Sequence, residues 1–82
     1  MRILVRYHGL LREKTGLSND TFEFQSAAPT VSDLLKSFME RHPLFERLAP
    51  SLHVAVSDEI VRSGHVLRQD DVVDLMPPYG GG

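Results

Sequence analysis

The groups in this chain that could do chemistry are its histidines, its neighbouring carboxylates, its serines and a glycine tail. Histidine stands at His8, His42, His53 and His65. No two have the i, i+4 spacing of a helical zinc pair, and there is no cysteine to complete a metal site. Asp70 and Asp71 are adjacent, and adjacent turn residues point apart, so a solvated turn explains them better than an acid/base pair. Ser32, Ser57 and Ser63 lie in no nucleophile-elbow sequence, and the glycines are too dispersed for a phosphate-binding loop. What remains is the end of the chain, Pro77-Pro78-Tyr79-Gly80-Gly81-Gly82, whose reactive group is the Gly82 carboxylate. Glycine has no Cβ, so this end makes a thin tail able to thread a narrow slot, and the two prolines stiffen it where it leaves the domain. Six extended residues reach roughly 20 Å. Taken alone, the tail also fits a frayed chain end, since termini are commonly disordered.

Something must hold that tail, and the rest of the chain has the patterning of one small domain. Arg2 to His8 alternates, with Ile3, Val5 and Tyr7 on one face and Leu4, Arg6 and His8 on the other, which predicts a half-buried strand. Gly9 to Lys14 predicts a short helical turn closed by Gly16. Asp20 to Gln25 alternates again, with Phe22 and Phe24 on one side. Thr30 is positioned to cap a helix through the amide of Asp33, whose charge suits the positive helix end. Val31, Leu34, Leu35 and Phe38 form one apolar stripe at helical spacing, and Pro43 ends the helix. A further short turn is expected within 44–48. His53 to Val56 and Ile60-Val61 read as extended pieces around a Ser57-Asp58 turn, and Gly64 separates them from Val66-Leu67. Gln69-Asp70-Asp71 is a turn, and Val72 to Met76 is a last strand with Val73 and Leu75 inward. The order strand, strand, helix, several strands predicts an α+β ubiquitin-like β-grasp, a mixed sheet wrapped around one main helix. Its first and last strands would be parallel neighbours at the sheet centre. A ferredoxin-like sandwich needs a second full helix, which 51–76 does not supply. The expected division is a domain over 1–76 and an extended tail over 77–82.

Composition narrows the functions. At 82 residues the chain has room for one core, and 41% hydrophobic residues are enough to build it. A net charge of -2 argues against nucleic-acid binding, because there is no basic excess to neutralise phosphates. No apolar run approaches the ~20 residues that span a bilayer, so no membrane role is expected. Met1-Arg2-Ile3 enters a strand pattern with no secretory leader, which points to the cytoplasm. The absence of cysteine excludes disulfides and side-chain thiol chemistry. Sulfur transfer stays compatible if the sulfur rides on the chain end and any persulfide belongs to a partner.

Four blocks together resemble a known family: Ile3-Leu4-Val5-Arg6-Tyr7, Leu10-Leu11-Arg12-Glu13-Lys14-Thr15-Gly16, Thr30-Val31-Ser32-Asp33-Leu34-Leu35, and Leu75-Met76-Pro77-Pro78 with the glycines. The chain resembles, over essentially its whole length, the small ubiquitin-like sulfur carriers. Within them it is most similar to the small subunit of molybdopterin synthase, and it is related to the thiamine-pathway carrier. The resemblance implies a carrier rather than an enzyme in its own right. Gly82, with Gly81 beside it, would be adenylated by an E1-like adenylating enzyme that uses ATP. A sulfur donor would convert the adenylate to a thiocarboxylate, and an acceptor such as the molybdopterin synthase large subunit would receive the sulfur. No cofactor would be bound permanently. The reactive carbon needs uncrowded flanks, which explains the glycines physically.

A carrier must dock before its tail enters a partner. Strand parity places Arg6, His8, Asp74 and Met76 outward, and Ile60 follows the Ser57-Asp58 turn. His8, Ile60 and Met76, with Pro77, Pro78, Tyr79 and Gly80, are therefore the expected partner-binding residues. Single exposed apolar residues are ordinary surface, whereas a contiguous patch marks a docking site. Family members commonly carry an aromatic at the place of His8, Asn-Gly at Ser57-Asp58 and Gly at Asp70. The Leu10 to Glu13 block and the long 41–51 region favour the molybdopterin role over the shorter thiamine carriers. The alternatives are a carrier for another pathway (thiamine thiazole, cysteine, tRNA thiolation or a secondary metabolite), a ubiquitin-like protein modifier, and a plain interaction module.

Overall fold

The computed structural model describes residues 1–78. Five strands form one mixed sheet in the order β2-β1-β5-β3-β4: β1 (Arg2–Tyr7), β2 (Asn19–Glu23), β3 (His53–Val56), β4 (Glu59–Val61) and β5 (Val72–Met76). Strand β5 sits at the centre, parallel to β1 and antiparallel to β3. This is the ubiquitin-like β-grasp that the element order predicts. A short helix α1 (Leu10–Thr15) links β1 to β2, and Gly16 closes it at φ 75°, where a side chain would be strained.

The main helix α2 (Val31–Arg41) packs across one sheet face. Its start follows from two side chains. The Thr30 hydroxyl accepts from the Asp33 amide at 3.2 Å, and the Asp33 carboxylate accepts from the Thr30 amide at 2.9 Å, a reciprocal capping box. The stripe Val31, Leu34 and Phe38 is buried against Ile3, Val5, Tyr7, Val73 and Leu75, while Leu35 is half-buried. Removing an aromatic or aliphatic side chain of this kind from water contributes roughly 1.5–3 kcal/mol. Pro43 ends α2 and opens the first of two 3-10 turns, Pro43–Phe45 and Ala49–Ser51. Phe45 stacks on Phe38 with ring centres 5.5 Å apart. Val66-Leu67, which Gly64 separates from β4, forms no strand. Val66 makes one bridge to Thr30, and Leu67 is buried instead.

The Ser57-Asp58 turn joins β3 to β4 with φ 53° and 66°, both left-handed. Two-residue hairpins favour that geometry because it matches the strand twist. Serine and aspartate adopt it at a cost of the order of 1 kcal/mol each, where glycine would pay none. Among the described residues, no helix is long and apolar enough to cross a membrane.

Candidate docking face and tail root

The sheet face turned away from α2 is built row by row from strand register. Arg6 on β1 pairs with Asp74 on β5, Asp74 with Ala55 on β3, and Ala55 with Ile60 on β4. One row beyond, Met76 pairs with His53, and His8 follows the end of β1. Arg6, His8, Ala55, Asp58, Ile60, Asp74 and Met76 thus line one shallow depression. Ile60 is 66% exposed and Met76 half-buried. The side chain at position 55 is only a methyl, so the floor between Ile60 and Asp74 stays low.

Asp74 is 7% exposed although it lies on the open face, because two cationic-type side chains cover it. Arg6 donates to both its oxygens, Nε to Oδ1 at 2.7 Å and Nη2 to Oδ2 at 2.9 Å, a bidentate fork. His8 Nε2 lies 2.7 Å from Oδ1, so it is the nitrogen that carries the proton. The Arg6 fork holds the Asp74 carboxyl below the usual carboxylate range; burial opposes this and His8 adds to it. The same bond raises Arg6. His8 is therefore an oriented polar group rather than a free one.

The tail root leaves the upper edge of this face. The His8 amide donates to the Leu75 carbonyl at 3.2 Å, which ends the β1–β5 ladder. Gly9 follows at φ 54°, and a Cβ there would sit 3.3 Å from Cγ of Pro77. Glycine at this position lets the first proline of the tail lie flat against the chain.

The structure brings His8, Ile60 and Met76 to one depression and places Pro77 and Pro78 at its edge. Tyr79, Gly80, Gly81 and Gly82 lie outside the described residues. Sequence parity placed Arg6 and Asp74 on this face but did not reveal that they bind each other. It did not assign Ala55, Asp58, Gly9 or His53 to this site. The outward parity of Ala55 was the available signal, but using it requires knowing that β3 lies beside β5.

A family model for the ThiS family matches residues 5–82. The chain belongs to the ThiS family. It is 33% identical over 84 residues to a molybdopterin synthase sulfur carrier subunit of Chlamydomonas reinhardtii, with all of both chains covered. Its fold matches a putative molybdopterin converting factor subunit 1 of Pyrococcus furiosus with a TM-score of 0.84 and 24% identity, covering 96% of this chain and 99% of the other. It matches SAMP1 of Haloferax volcanii with a TM-score of 0.84 and 21% identity over the full length of both. This ThiS-family chain is thus a sulfur carrier with a β-grasp body, and its open face is the surface that parity assigns to docking.

Proposed function

We propose that this ThiS-family chain is the small, sulfur-donating subunit of a molybdopterin synthase, and that Gly82 carries the sulfur. The observation that carries this reading is the convergence of His8, Ile60 and Met76 on one open face, beside the end of the central strand from which the tail departs. The full-length similarity to a molybdopterin synthase sulfur carrier subunit supports the choice of acceptor.

The chemistry follows from the poor electrophilicity of a carboxylate. An E1-like partner transfers AMP from ATP to the Gly82 carboxylate and releases pyrophosphate. A sulfide-level nucleophile then displaces AMP and leaves a thiocarboxylate. In the acceptor subunit the thiocarboxylate sulfur attacks an electrophilic carbon of the substrate and displaces an oxygen leaving group from it. Water then cleaves the resulting thioester, which restores the Gly82 carboxylate and leaves the sulfur on the substrate as a thiol. Each loaded chain delivers one sulfur, so a dithiolene consumes two. The body contributes docking and orientation, and the glycines keep the flanks of the reacting carbon clear. One face and one tail serve both the adenylating enzyme and the acceptor, so the two complexes exclude each other.

Intact-mass measurement after incubation with an adenylating enzyme, ATP and a sulfide source tests this. The C-terminal peptide gains the mass difference between sulfur and oxygen. Deleting Gly82, or adding one residue after it, abolishes the gain while the melting curve stays unchanged. Gly81→Ala slows transfer far more than Gly80→Ala, because only its Cβ neighbours the reacting carbonyl. Sulfur addition that survives deletion of Gly82 would sink the reading.

A further inference from the structure

The backbone ladder stops one residue short of the tail. Strand β5 ends at Met76, whose partner His53 is the first residue of β3. Pro77 and Pro78 have no N–H, so they can be tied to the sheet only through their carbonyls. The next β3-side amide, Leu52 N–H, is already committed to the Ala49 carbonyl at 3.2 Å. Ser51 N–H, which the register sets opposite Pro78, is likewise committed, to the Leu48 carbonyl at 2.9 Å, so among the described residues neither amide is left for the tail root on this side. His53 supplies a donor from its side chain: its Nε2 lies 3.2 Å from the Pro78 carbonyl oxygen, two residues beyond the last ladder pair. On the β1 side, Gly9 lies against the Pro77 ring.

We infer that His53 is a positioning residue for the tail. Its Nε2–H holds the Pro78 carbonyl and, with Gly9 against Pro77, sets the direction in which the tail leaves the sheet. The pair acts on opposite sides of the root, so the two prolines are contacted at two points and their pivoting about Met76 is restricted. A root held in one direction loses less freedom when the chain enters a partner slot. The functional half of this inference rests on the proposed carrier role, but the contact itself does not.

Two measurements separate those halves. The first is the carbonyl ¹³C shift of Pro78 in the labelled full chain. His53→Leu removes the donor while keeping an apolar strand residue, so the Pro78 carbonyl signal moves upfield. His53→Gln places an amide N–H at similar reach and returns it. The second is steady-state sulfur loading by the adenylating enzyme. His53→Leu raises KM for the carrier by roughly two- to tenfold, the scale of one exposed hydrogen bond, with kcat little changed. His53→Gln recovers most of this, and all three proteins melt alike. An unchanged Pro78 carbonyl in His53→Leu would overturn the contact. A shifted carbonyl with an unchanged KM would overturn its positioning role, while sulfur loading of the wild type would leave the carrier reading intact.

Discussion

Two Asp–Arg–His clusters stand in this small domain, with the same chemistry and opposite surroundings. Asp20 accepts from Arg41 Nη1 at 2.9 Å and from the Tyr7 hydroxyl at 2.9 Å, and His42 Nε2 stands 3.6 Å away. Aromatic rings flank its partners. His42 meets Tyr7 edge-on, and Arg41 lies over Phe22 with 3.9 Å from Cζ to the ring centre. Asp74 takes a fork from Arg6 and a bond from His8 on the open face. Both carboxyls are held below the usual range by different balances. At Asp74 the Arg6 bond dominates. At Asp20 burial is the largest influence and pushes upward, but the bonds from Tyr7, Arg41 and the Thr21 amide together outweigh it. The Asp20 cluster ties β2 to α2 and so serves the fold. The Asp74 cluster ties only neighbouring residues of one face, and what it orients, Arg6 and His8, lines the open depression proposed for docking.

On that division, the largest effect of any change on the open face is on binding. Truncating a central anchor commonly costs about 2 kcal/mol or more of binding. Met76→Ala and Ile60→Asp are therefore expected to weaken both the adenylating enzyme and the acceptor subunit by thirtyfold or so, with the melting temperature nearly unchanged. Competition binding reads this directly. A ternary complex of carrier, adenylating enzyme and acceptor at saturating concentrations would show that two different surfaces are used.

At the Asp20 cluster the effect moves to stability. Asp20→Ala strands the buried Tyr7 hydroxyl, whereas Arg41 is solvent-exposed and keeps the Thr21 carbonyl at 2.9 Å; leaving one buried donor unpaired costs about 1–3 kcal/mol. Chemical denaturation measures that loss, and affinity for either partner is expected to stay within twofold. A large drop in affinity with unchanged stability would reverse the assignment of the two clusters.

How much of this was readable from the residues depends on how far apart the partners are in the chain. The period-2 strands, the Thr30–Asp33 cap and the Gly16 stop are local, set by groups within four residues, and the fold follows from their order. The open face was half readable, because parity separates inward Val5 and Leu75 from outward Arg6 and Met76 without any knowledge of register. The ion pair was not readable. It requires Arg6 to lie opposite Asp74, 68 residues on, and only the parallel β1–β5 register fixes that. His53 was hidden for the same reason, since its reach to Pro78 depends on β3 pairing with β5. Asp20, Arg41 and His42 looked like unrelated polar residues until α2 was laid across β2.

The smallest expected effect is also the one that tests how Asp74 works. Its carboxyl is depressed in the folded chain, so ionised Asp74 stabilises the fold above the unfolded value of about 4. That contribution is lost as pH falls through the lower folded value, where the protonated side chain becomes a near-isostere of asparagine. Asp74→Asn should therefore melt slightly below the wild type at neutral pH, and the gap should close as the solution is taken below about pH 4. Asp20 is depressed too, so the Asp74→Asn variant keeps an acid limb of its own. The same substitution frees Arg6 and His8 from their shared acceptor, and affinity at neutral pH should fall only severalfold, well short of the Met76→Ala effect. Melting temperature against pH, measured beside partner affinity, checks both halves. A gap that stays constant down to acid pH would mean that the side chain acts through its shape and not its charge. The open-face cluster would then be a packing feature, with no electrostatic part in orienting Arg6 and His8.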